Sequence, residues 1–221
     1  MAASSIIDLR KLLAERFPQE QLTAGDRLVT GLEIFDRELD GGLTKGAITE
    51  LSSASPSAGS ATIIAALLQR ACRDRSFLAL IDGRDSFDPS SIGESALRHL
   101  LWVRCRAASE ALQAADLLLR DGNFPLVILD LVLNPVAELQ KIPASNWYRL
   151  QRLVEPAPTA FLVFTPRSMI SSAQWKLSLK NRWTLPQLDW EAAELQAALK
   201  IHLGRAQPNK WRSEPKLARA G

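Results

Sequence analysis

The 221-residue chain is poor in the residues that usually announce chemistry: two cysteines, two histidines, two methionines and one tyrosine. Cys72 lies in a helical run and Cys105 follows the strand-like LLWVR, a usage that points to a reduced, cytosolic compartment rather than a disulfide framework. His99 and His202 are as scattered as the cysteines, so no zinc site, and no other metal or cofactor, is expected. No stretch reaches the ~18 apolar residues of a membrane span. The start, MAASSIIDLRKLLAERF, has no basic leading region and carries charges through its apolar face, so it does not read as a signal peptide. Hydrophobic residues make up 47% and charged residues 23%, ordinary for a globular domain. These proportions exclude general disorder, collagen and a coiled coil, and the length suffices to bury a core without staples.

The charge is unevenly placed. Residues 204–221 carry Arg205, Lys210, Arg212, Lys216 and Arg219 against Glu214 alone, a net +4 that leaves the rest of the chain at −1 of the overall +3. The basic balance therefore belongs to the tail, which reads either as a polyanion-binding arm or as a solubilising end.

Patterning divides the chain into an amphipathic helix and linker (1–25), a core domain (26–190), and a C-terminal helix with the basic tail (191–221). The first helix spaces Ile6, Leu9, Leu13 and Phe17 by three and four, with Pro18 behind it. From residue 46 to 165 strand and helix patterns alternate, and the strands are apolar on both faces. This predicts an α/β domain with a mostly parallel, twisted sheet flanked by helices. Residues 174–185 alternate as a strand wet on one side, with Trp175, Leu177 and Leu179 facing one way, and 190–203 read as a last helix. Trp147 and Tyr148 are adjacent on a predicted helix, so only one of them can face the core.

In such a fold the ligand loop follows the first strand and opens a helix. That loop is here SSASPSAGSAT, 52–62. A working phosphate loop reads GxxxxGK[ST]: glycines turn backbone N–H groups inward, lysine neutralises the β- and γ-phosphates, and a hydroxyl ligates Mg²⁺. Ala54 stands at the first glycine and Gly59 at the last, Ser60 replaces the lysine, and Ala61 replaces the metal-binding hydroxyl, with Thr62 next. The length is right and the chemistry is missing.

With this loop placed, TGLEIFDREL–GGL–KGAITEL before it, ALIDGRDSFDP after it, and PLVILDLV with Asp130 at a Walker B position resemble the RecA family of P-loop recombinases over about residues 29–185. The small size, the LRKLLAERFP start and the decayed loop resemble most its ImuA branch, from bacterial SOS mutagenesis cassettes, and more distantly SulA, the division inhibitor. The resemblance implies a RecA-like core and a non-catalytic accessory role in damage-induced translesion synthesis. The implied partners are RecA, ImuB and a DnaE-type error-prone polymerase. Where RecA-type ATPases carry a water-activating glutamate, this chain has Arg84. Lysine, metal hydroxyl and general base are thus lost together, and ATP hydrolysis is not expected. The alternatives are a SulA-like division inhibitor and a divergent DNA-dependent ATPase. Asp130 also has a structural reading, as a cap for the turn that follows it.

Only PRSMISSA (166–173) occupies the place of RecA's second DNA-binding loop, too short for a long gripping segment. Residual DNA binding has two candidate locations. Lys176, Lys180 and Arg182 interleave with Trp175 and Trp183, and the tail combines Lys210, Trp211, Arg212, Lys216 and Arg219. For the first, a core-facing Trp175 beside lysines on the wet face of a strand is the competing reading. The stripe of Ile6, Leu9, Leu13 and Phe17 is the candidate partner interface, in self-association or on a recombinase, with docking on its own domain as the alternative.

Overall fold

A computed structural model describes residues 27–56 and 58–206. The segment bearing Ile6, Leu9, Leu13 and Phe17, and the tail from Lys210 to Arg219, lie outside the described residues.

Seven strands form one sheet in the order β5-β4-β6-β7-β3-β8-β9, all parallel except the last pair. They are β3 (Ala47–Ser53), β4 (Leu78–Asp82), β5 (Leu100–Arg104), β6 (Leu126–Asp130), β7 (Ala160–Thr165), β8 (Trp175–Leu179) and β9 (Ile201–Ala206). A separate ribbon pairs β1 (Arg27–Leu28) with β2 (Leu43–Thr44). The helices are α1 (Glu33–Glu38), α2 (Ser60–Arg73), α3 (Glu94–Leu97), α4 (Ala108–Asp121), α5 (Val136–Leu139), α6 (Ala144–Val154) and α7 (Ala192–Ala197). This is the expected α/β class, a mostly parallel sheet flanked by helices and consistent with a RecA-like core.

The two-residue period of the strands builds two hydrophobic layers. Leu78 and Leu80 of β4, Ile128 of β6, and Leu162 and Phe164 of β7 face α1 and α2. Their neighbours Ala79, Ile81, Val127, Leu129, Phe161 and Val163 face α4 and α6. Each helix meets its layer with residues three and four apart: Ile63, Ile64, Leu67, Leu68 and Ala71 on α2, and Ala108, Ala111, Leu112, Ala115 and Leu119 on α4. On α6, Trp147 is buried and Tyr148 is exposed, as adjacency requires. The central strands are buried on both faces, which is why they read as continuous apolar runs.

The C-terminal third departs from the sequence reading. Strand β8 stops at Leu179, and the helix covers only Ala192–Ala197. Ile201–Ala206, expected to belong to helix and tail, forms an antiparallel strand on β8. Asn181 fixes the switch: its Nδ2 donates to the Ala198 carbonyl at 2.8 Å, and its Oδ1 accepts from Lys200 N at 2.8 Å. With β9 beside it, β8 is an interior strand and not an edge. Between β4 and β5 the helical segment is only a 3-10 turn (Pro89–Ser91) followed by the short α3. No helix among the described residues is long and apolar enough to cross a membrane.

Candidate functional site: a closed loop at the strand ends

In open parallel sheets, ligands bind beyond the carboxyl ends of the strands. Here β3, β4, β6 and β7 end in Ser53, Asp82, Asp130 and Thr165. The β3–α2 loop brings Ala54, Gly59, Ser60, Ala61 and Thr62 together, but two of the other predicted residues lie elsewhere. Asp130 is two strands away, about 10 Å at normal strand spacing, and Arg84 follows β4, three strands away. Arg84 is exposed, and its Nη1 donates to the Arg106 carbonyl at 3.0 Å, toward β5 and away from the loop.

Gly59 precedes α2 in a left-handed conformation, φ +106°. A Cβ added there would lie 2.8 Å from Leu199 Cδ2 and 2.9 Å from Trp183 Cη2. This glycine therefore seats an indole and an isobutyl group. Beside it a groove of about 990 Å³ runs along α2, lined by Ala61, Ala65, Gln69, Trp183, Leu185 and Leu195 among others. Among the described residues, no Asp, Glu, Lys or Arg lines it. A triphosphate in such a site would lose its water without meeting a cation, an unfavourable exchange. Thr62 opens onto this groove.

The carboxylates at the strand ends organise backbone. Asp82, almost fully buried, accepts from the backbone N–H groups of Arg84 (3.2 Å), Ser86 (2.7 Å) and Phe87 (2.8 Å) and from Ser86 Oγ (3.3 Å). The loop after β4 is wound on this side chain. Asp130 is paired in register with Asp82 and accepts from Val132 N at 3.0 Å, the turn-capping role. Burial chiefly, and the neighbouring Asp82 charge, push its pKa up to about 6 against the opposing pull of the Val132 N–H. Gly83 closes this junction: its N–H donates to the Asp130 carbonyl at 2.9 Å, and a Cβ there would collide with Asn134 Oδ1. Among the described residues, no group of three or more His, Cys, Asp or Glu side chains is placed to hold a metal ion.

Glu50, in the middle of β3, is the residue the sequence reading did not single out. Its side chain is 1% exposed. Oε1 accepts from Thr165 Oγ1 (3.2 Å), Met169 N (2.6 Å) and Ile170 N (3.0 Å), while Oε2 accepts from Ser168 Oγ (2.9 Å). Lys176 Nζ lies 3.5 Å away and completes a buried ion pair. The segment 166–174, between β7 and β8, is thus tied to the sheet. Its only sequence signal is one charge inside the apolar strand AITEL.

The same contacts revise the basic-aromatic cluster. Lys176 is committed to Glu50 and Ser168 rather than standing on a wet face. Trp175 packs against the core, donates Nε1 to Thr44 Oγ1 at 2.9 Å, and takes the Arg27 guanidinium over its ring. Lys180 and Arg182 are exposed, and Trp183 is half-buried on the loop. Both tryptophans thus pack against the core, while Lys180 and Arg182 face solvent. No family model matches the chain, and no curated protein does.

Proposed function

We propose that the chain is a non-catalytic RecA-like accessory protein of the SOS response, acting in the cytoplasm as an adaptor in translesion synthesis. It would act by binding RecA and error-prone polymerase subunits of the ImuB and DnaE type. The observation that carries the non-catalytic part is the packing of Trp183 and Leu199 on Gly59, in a loop without the phosphate lysine. The Glu50-bound segment 166–174 adds support, since strand exchange needs a mobile loop there. The partner assignment rests on the sequence resemblance.

Titration with Mg-ATP tests the site directly, because Trp183 lies on the loop and reports on it. No saturable change in tryptophan fluorescence or melting temperature is expected at millimolar nucleotide. A specific ligand at a hundred times its Kd would add about 2.7 kcal/mol, so a saturable upward shift would overturn the reading. ATP turnover abolished by Asp130→Ala would do the same. Pull-down of RecA or the polymerase subunits by the purified chain is the expected positive result; failure with all of them removes the adaptor role.

A further inference from the structure

The groove on α2 has an apolar floor and an open rim: Leu185 is 78% and Trp190 40% exposed. It follows one face of α2 from Ala61 through Ala65 to Gln69, a length of about 12 Å. Small residues one turn apart allow another helix to approach closely. The groove on the opposite side of the sheet, between α4 and α6, differs in kind, being lined by Asp116, Glu138, Lys141 and Arg149. An apolar helix face therefore fits the first and not the second.

The path of the chain supplies the occupant. Gly31 lies against Arg70 of α2, 3.4 Å from the Arg70 Cδ to a Cβ built on the glycine, next to the Gln69 end of the groove. Leu28 of β1 packs on the same layer as α2. Residues 1–26 thus precede a strand on the groove's own side of the sheet. Residues 18–26 can span up to ~30 Å, so the stripe can reach the groove, and a helix from Ile6 to Phe17, about 17 Å long, more than covers its ~12 Å.

We propose that residues 5–17 dock as an amphipathic helix in the groove between α2 and residues 183–196 of the same chain, with Ile6, Leu9, Leu13 and Phe17 covering Ala61, Ala65 and Leu185. The placement does not depend on the adaptor reading. Hydrogen exchange on the full-length protein tests it. Leu9→Asp with Leu13→Asp should speed exchange at least tenfold in 61–69 and 183–196 while α4 and α6 keep their protection. Ala65→Arg, on the groove floor, should speed exchange in residues 5–17 by a similar factor; it decides the matter if the double variant unfolds. Unchanged exchange in both variants overturns the proposal. So does protection that appears only where sedimentation shows a dimer, because a second copy would then fill the groove. Loss of protection in a chain that stays monomeric at every concentration supports it.

Discussion

Replacing Glu50 is the sharpest test of how the sheet controls the 166–174 segment. The carboxylate accepts four hydrogen bonds, two from hydroxyls and two from backbone N–H groups, and pairs with Lys176, whose side chain is only 22% exposed. Glu50→Ala removes every acceptor together. Ile170 N and Thr165 Oγ1 are buried and would have no water to turn to, and the lysine would lose its counter-charge. Unpaired buried donors cost about 1–3 kcal/mol each, and breaking a buried ion pair costs about 3–5 kcal/mol; the contributions overlap, so the sum is capped near 5 kcal/mol. Against a domain stability of about 5–15 kcal/mol, this variant should be severely destabilised. Glu50→Gln keeps one acceptor oxygen for Thr165, Met169 and Ile170, and the serine hydroxyl can turn to accept from the new amide. Its loss should be mostly the lysine pair, about 1–3 kcal/mol. Urea unfolding followed by tryptophan fluorescence gives both numbers. A cycle with Ser168→Ala should show coupling of about 1 kcal/mol, since the two side chains share a hydrogen bond. A loss below 1 kcal/mol for Glu50→Ala would refute the anchoring argument, and with it the claim that this segment is fixed.

Three further variants probe the remaining junctions. Gly59→Ala combines a φ of +106° with a Cβ driven into Trp183 and Leu199; it should cost about 2–4 kcal/mol in urea unfolding and alter tryptophan emission. Asp130 has a folded pKa near 6, above the ~3.9 of an unfolded aspartate, so the folded state holds the proton more tightly. Its contribution is fully present below pH ~4 and is lost as pH rises through 6, an upper bound of about 3 kcal/mol. Asp130→Asn should therefore be more stable than the parent at pH 8 and equal to it near pH 4; equal unfolding midpoints at pH 8 would show that the carboxyl is not desolvated. Asn181→Ala removes both bonds that stop α7 and start β9, and should cost about 1–3 kcal/mol while accelerating hydrogen exchange in Ile201–Ala206 before any other strand.

The parts of the fold legible in the sequence are those fixed by local period. The apolar runs at 78–82, 126–130 and 160–165 announced buried parallel strands, and α4 declared itself by its three- and four-residue spacing. Strand β9 was not legible, because WEAAELQAALKIHL keeps helix-forming residues to its end. What ends the helix is a side chain nineteen positions earlier, Asn181 against Lys200, together with an open strand edge that needs a partner. The role of Glu50 is not legible for a similar reason: its donors lie 115–120 residues away. The β3–α2 loop is legible as lacking a phosphate lysine and a metal-binding hydroxyl, but not as the seat of Trp183 and Leu199.

That packing changes what Gly59 means. A glycine at the end of a phosphate loop is normally explained by the backbone's approach to an anion. At Gly59 the same missing Cβ admits Trp183 and Leu199 from the far end of the chain, and the left-handed φ makes glycine necessary in a loop that has no lysine. The position is held by packing. The Mg-ATP titration and Gly59→Ala should therefore give opposite answers at one residue, no response to nucleotide and a large response in stability. A site still built for phosphate would respond to both.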